Sequence, residues 1–151
     1  MMARTKNALG RLPEKSVTSA DYERLAAFRL ALRRFLEFSS SAACDAGLTP
    51  QQHQALLSIK GKPGDVPMSI GELAEHSCVR HHTAVELVDR LEKMDLLVRE
   101  PDVEDARKVR LRLTAKAERI LVDLSAAHLD ELHRIGPNLA ALLNELAAKH
   151  D

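Results

Sequence analysis

Residues 73–100 read LAEHSCVRHHTAVELVDRLEKMDLLVRE, and 101–117 continue PDVEDARKVRLRLTAKA. Just before this stretch, Ser69 followed three residues later by Glu72 is a capping-box pattern, opening a short helix through Ile70, Leu73 and Ala74. Ser77, Cys78 and Val79 read as a turn, because the apolar residues restart in a new phase at Val79, Ala84, Leu87, Val88 and Leu91. Two short amphipathic helices joined by a few residues make a helix-turn-helix candidate. After Met94 the period falls to two. Leu97-Val98-Arg99-Glu100 is a short extended segment, PDVEDARK is a polar turn, and Val109-Arg110-Leu111-Arg112-Leu113 alternates apolar with basic. Alternation of that kind marks a half-buried strand, so the segment predicts a β-hairpin, a wing on the helix-turn-helix.

Upstream, Ser19 or Asp21 is placed to cap a long helix with Leu25, Phe28, Leu32, Phe35 and Leu36 along one face, and Gly47 offers a left-handed stop. Thr49-Pro50 opens a second helix with Ala55, Leu56 and Ile59 on its apolar side, ended by GKPGDVP at 61–67. Downstream, Thr114 caps a helix carrying Ile120, Leu121, Leu124, His128 and Leu132, and Gly136-Pro137 is expected to break it before a last helix with Leu139, Leu142, Leu143 and Leu146. The element order predicts a mainly α chain with a small β-wing, a winged helix-turn-helix flanked by helices.

Composition agrees with packed helices: 45% of residues are hydrophobic but only 3% are aromatic. At 151 residues the chain has the length of one domain, by a prior of about 150 residues per domain. No apolar run approaches the ~18 residues of a membrane span, and MMARTKNALGRLPEK lacks a secretory h-region, so a soluble cytoplasmic protein with no membrane partner is expected. Cys44 and Cys78 lack the spacing of a disulfide framework or a zinc knuckle. Basic and acidic residues balance at 22 each, so any polyanion must be met by a local surface. There is no nucleophile elbow, phosphate loop or HExxH, so neither an enzyme nor a cofactor is expected.

The recognition-helix segment with LVDRLE, the extended LV-x-R, Asp105-x-Arg107 and the closing Leu113-Thr114 resemble the MarR family of bacterial transcriptional regulators. The resemblance implies a homodimer whose N- and C-terminal helices interlock, and two winged domains that bind a pseudo-palindromic double-stranded DNA operator, as a repressor answering a small-molecule effector. It divides the chain into an N-terminal flexible arm (1–19), a helical dimerisation region (20–47 and 115–151) and a DNA-binding winged domain (48–114). Where the family usually has a serine cap, a basic or small polar residue, and two glycines, this chain has Arg80, Glu86, Asp95 and Ala117.

The candidate DNA-binding residues follow from position. Arg80, His81, His82 and Thr83 occupy the leading turn of the second helix, where base edges are met: Arg chelates guanine, Thr serves either base type, and His donates to phosphate or guanine. A metal at the histidine pair is disfavoured, because adjacent helical residues project ~100° apart. Glu86 reads as a cytosine contact, as a charge that rejects wrong sequences, or as an i,i+4 partner of Arg90. Arg90 and Arg99 suit phosphate contacts. On the wing, Arg107 suits the minor groove with Asp105 orienting it, and Lys108 follows on the same ribbon. Arg29, Arg33 and His53 are candidates for holding a carboxylate effector, by the resemblance. Cys78 is a candidate redox switch, which would make the chain a thiol-responsive sensor. A metal-responsive sensor and a winged-helix module for protein association also stay open.

Overall fold

The computed structural model describes residues 17–148. The N-terminal arm expected over 1–19 lies outside them except for its last three residues. Helix α1 (Ser19–Asp45) starts at a reciprocal cap: Thr18 Oγ1 accepts from the Asp21 amide at 3.2 Å, and the Thr18 amide donates to Asp21 Oδ2 at 2.9 Å. The cap is therefore Thr18, one residue before the expected Ser19, and Asp21 supplies the acid of the box. The helix closes at Gly47, whose φ of 79° lets the Leu48 amide reach Ala43 O at 2.9 Å. Helix α2 (Pro50–Lys60) has the Thr49–Gln52 capping box and proline in its first turn. Helix α3 (Ile70–His76) has the Ser69–Glu72 box, and helix α4 (His81–Lys93) follows after Ser77 to Arg80. Strands β1 (Leu97–Pro101) and β2 (Val109–Leu113) form the antiparallel hairpin, and α5 (Ala115–Ala147) completes the described chain.

The expected break at Gly136-Pro137 does not occur: α5 runs through both residues. Gly136 does not adopt the positive φ of a helix stop, and nothing lies within 4 Å of where its Cβ would stand. Leu121, Leu124, His128, Leu132, Ile135, Leu139, Leu142 and Leu146 recur at three- and four-residue steps on both sides of the proline. The apolar stripe thus keeps one phase, and a 33-residue helix tolerates the one backbone donor that proline lacks.

The described residues form two compact units, one of Phe35–Arg134 and one of residues 17–34 and 135–148. The buried core lies in the first. It joins Ala43 and Leu48, Ala55, Leu56 and Ile59 of α2, Met68, Leu73 of α3, Val88 and Leu91 of α4, Leu97 and Leu111 of the hairpin, and Leu121 and Leu124 of α5. In the second unit no described residue is buried, and Tyr22, Leu25, Leu32 and Leu143 are exposed. No helix among the described residues is long and apolar enough to cross a membrane.

The hairpin pairs Leu97 with Leu113, Arg99 with Leu111 and Pro101 with Val109. A third backbone segment joins it: Leu111 donates to Met68 O at 2.8 Å, and Ser69 bridges to Arg110. The wing is therefore anchored to the residues that start α3, a long-range pairing with no local sequence signature.

Candidate nucleic-acid interface

Helix α4 has its core side at Ala84, Val88 and Leu91, all fully buried. At 3.6 residues per turn, the opposite face falls on His82, Glu86 and Lys93, which are exposed. Lys93 was absent from the sequence candidates, although the phase of the three core positions points to it. Arg80 is the N-cap residue of α4, and the helix has no side-chain cap, in contrast to the complete boxes on α2 and α3. Its first amides are left without an internal partner, at the positive end of the helix dipole and beside the exposed Arg80, His81 and His82.

His81 lines an open cleft with Arg107, Lys108 and the start of α3, so the leading turn and the wing meet at one surface. Thr83 departs from its neighbours. It is half-buried and lines a small groove with Gln51, Gln54, Val79 and Leu87, facing α2. Arg80, Glu86, Arg90 and Lys93 have no ion-pair partner among the described residues, so of the three readings of Glu86 the i,i+4 pair with Arg90 is not formed.

The wing cations are arranged otherwise. Arg107 is 92% exposed, and Asp105 Oδ1 accepts from both its amide and its Nε at 3.1 Å, which orients the side chain outward. The same hydrogen bonds, first that from the Arg107 side chain, hold the Asp105 carboxyl below its ordinary range. Arg112 is paired with Glu100. Arg110, only 17% exposed, donates to Asp102 at 2.6 Å and to Pro67 O at 3.2 Å, and lies 3.7 Å from Glu72. Asp102 also accepts from the amides of Glu104 and Asp105 at 2.9 Å, and the Arg110 bond together with these amides lowers its pKa to about 2. Glu72 is lowered too, chiefly by the Ser69 amide that it caps.

Arg99, expected at phosphate, points to the other face of the hairpin. It stands two residues after the buried Leu97 and opposite the buried Leu111, so strand parity sends it toward α4. There it donates to Asp89 at 2.5 Å and to Glu92 at 2.8 Å. These bonds, Asp89 first, raise its pKa, and they tie α4 to the wing.

His53, expected beside Arg29 and Arg33 on the wall of an effector site, is buried at 6% exposure in the winged unit, where its ring stands 4.9 Å from that of His128. Arg29 and Arg33 are exposed on α1 without a partner among the described residues. Cys78 is exposed in the turn before α4 with φ of 52°, a left-handed conformation unusual for a residue with a Cβ. Asp95, where the resemblance expects glycine, has φ of 58°, which explains the preference at that position. Ala117 needs no such freedom: it is buried in the first turn of α5, and its amide donates to Thr114 Oγ1 at 3.2 Å. Among the described residues, no three His, Cys, Asp or Glu side chains are grouped to hold a metal ion.

A sequence profile described as MarR family matches residues 46–108, the span from the end of α1 to the foot of β2. No curated protein matches the chain. Among solved structures, a MarR family protein from Bacillus stearothermophilus is similar at 27% identity and a TM-score of 0.67, with 82% of each chain covered. AbsC, a MarR family transcriptional regulator from Streptomyces coelicolor, is similar at 18% identity and a TM-score of 0.68, over 83% of this chain and 84% of that one. A variant of MepR from S. aureus, solved bound to an oligodeoxyribonucleotide, is similar at 17% identity and a TM-score of 0.64, over 86% of this chain and 99% of that one.

Proposed function

We propose that this chain, whose residues 46–108 match a MarR family profile and whose fold is similar to that of MarR family structures, is a sequence-specific DNA-binding transcriptional regulator, a homodimer acting as a ligand-responsive repressor on a pseudo-palindromic operator. The observation that carries the reading is the state of α4: its start is uncapped with Arg80, His81 and His82 exposed, its cations have no ion-pair partner among the described residues, and the cleft beside it is shared with Arg107 and Lys108 of the wing. The similarity to an oligodeoxyribonucleotide-bound MepR variant supports the same reading.

In this mechanism the first turn of α4 enters the major groove. Arg80 and His81 meet base edges or phosphate there, while His82, Glu86, Arg90 and Lys93 face the groove along the helix. Arg107 reaches the adjacent minor groove, held by Asp105, and Lys108 meets phosphate. Arg99 acts indirectly, fixing the angle between helix and wing. Two copies would place their α4 helices in successive major grooves, half-sites about 34 Å apart. The exposed apolar side chains of the unit outside the winged domain support dimerisation. For the effector, Arg29 and Arg33 supply exposed cations suited to a carboxylate, whose binding would alter the separation of the two winged units.

The test is a gel shift with the duplex lying directly upstream of the protein's own gene, repeated at rising salt against unlabelled competitor. Specific retardation whose log affinity falls steeply with log salt is expected. Retardation that a random duplex competes away equally well removes the reading.

A further inference from the structure

The described chain holds a histidine pair away from the DNA face. His53 of α2 and His128 of α5 stand with ring centroids 4.9 Å apart and an interplanar angle of 47°. Phe35 and Phe38 of α1 pack on His128 at 6.0 and 5.4 Å. His128 Nδ1 lies 2.6 Å from Leu124 O, and a carbonyl only accepts, so Nδ1 carries the hydrogen. Nε2, 2.8 Å from Ser39 Oγ, then accepts from the hydroxyl in the neutral ring. The neutral tautomer of His128 is thus fully satisfied. The His53 imidazole has no hydrogen-bond partner among the described residues, and the residue is 6% exposed. The groups around the pair from α1 are Phe35, Phe38 and Ser39, all uncharged, and neither imidazole forms an ion pair with a carboxylate among the described residues. The one charge that acts on His53 among the described residues is His128 itself. Burial first, and His128 second, push its pKa below that of a free imidazole.

We propose that His53 and His128 form a proton-binding site whose occupation loosens the joint of α1, α2 and α5 and, through α2, releases DNA. A proton taken from solvent by either ring creates a cation with no counter-ion, facing a second titratable ring in a largely apolar enclosure. Helix α2 packs on α3 and β2 through Ala55, Leu56 and Ile59, so its displacement reaches the helix-turn-helix and the wing anchor. The sign follows from linkage. Above about pH 6.5 folded and unfolded states are both neutral at His53 and stability is greatest; as pH falls below that value the unfolded state takes up the proton first, and stability declines down to the folded-state pKa. Release of DNA rests on the regulator reading, whereas the proton site does not.

The experiment follows imidazole titration by NMR in the intact protein, together with melting temperature and retardation of the upstream duplex between about pH 7.5 and 5.5. His53 is expected to titrate below a free imidazole, and acidification is expected to lower the melting temperature and cause a several-fold loss of DNA affinity. In His53→Gln, and in His53→Phe should the first pack poorly, most of both declines is expected to vanish. This comparison removes the contribution of His81 and His82, where a proton would add positive charge at the DNA face and act with the opposite sign. A His53 that titrates like a free imidazole, or variants that keep the wild-type pH dependence of melting, overturns the proton site. A wild type that retards no duplex at any pH overturns the regulator reading and the release step with it.

Discussion

Helix α4 with its N-cap residue and the β1–β2 ribbon both carry several basic residues, yet they hold them in opposite states. On α4, Arg80 at the uncapped start and Arg90 and Lys93 in the last turn have no ion-pair partner among the described residues. On the ribbon, Arg99, Arg107, Arg110 and Arg112 are each engaged by carboxylates, and Arg107 and Lys108 near its tip are the ones that line the cleft shared with the start of α4 while standing out into solvent. A count of positive residues would rank the ribbon above the helix. Their pairing divides the work: the helix presents charge, and the ribbon uses its arginines to fix the angle and reach of the wing.

The largest effect is expected from detaching the ribbon. Leu111 is 1% exposed, and its amide is bonded to Met68 O. Leu111→Ala should lower unfolding stability by about 3 kcal/mol in urea titrations, by lost burial and a residual cavity. The division of labour among cations is sharpened by salt. Arg107→Ala or Lys108→Ala should reduce the slope of log affinity against log salt by about one per contact, because each releases a counterion on binding. Arg112→Ala should leave the slope unchanged, because Arg112 is held by Glu100 and does not line the cleft that His81 shares with Arg107 and Lys108; an equal drop would erase the distinction.

At the helix, Arg80→Ser should supply the missing cap, raising thermal stability by about 1 kcal/mol while weakening DNA binding. Stability and affinity moving in the same direction would show that the uncapped end has no part in recognition. At the base of the wing, Asp102 should contribute stability that is present above its unfolded pKa near 4 and lost as pH falls toward about 2. Acid titration followed by circular dichroism should show this limb, and Arg110→Leu should flatten it. The smallest effects are expected at the two left-handed residues. Cys78→Gly should stabilise by roughly 1 kcal/mol and Asp95→Gly by less, since aspartate tolerates that conformation better, both read from melting temperature.

Much of the fold was legible because its signals are local. The Ser69–Glu72 and Thr49–Gln52 boxes, Gly47 and the alternation at Val109 to Leu113 each specify hydrogen bonds or burial within a few residues. The break expected at Gly136-Pro137 shows the limit of such signals. Proline removes one donor, but the apolar phase on either side is continuous, and burial along the stripe outweighs the local preference. At the candidate interface, the leading turn was readable from the phase of Ala84, Val88 and Leu91, and Lys93 could have been found the same way. Arg99 could also have been found, by its parity with Leu97. The partners of Arg110 could not, because Asp102, Glu72 and Pro67 converge on it only when the wing meets the start of α3.

The two histidine pairs divide what each level decides. By itself the sequence determined the helix-turn-helix, the wing and the place of His81 and His82 at the head of α4, since helical phase makes adjacent residues diverge and so removes them as a joint site. Only the tertiary structure decided that His53 and His128 face each other, that Arg110 is locked in place, and that Arg80 and Lys93 have no ion-pair partner among the described residues. The reason is physical. Period and capping act through neighbours along the chain, whereas charge pairing and the burial of an imidazole depend on which helices and strands are packed together.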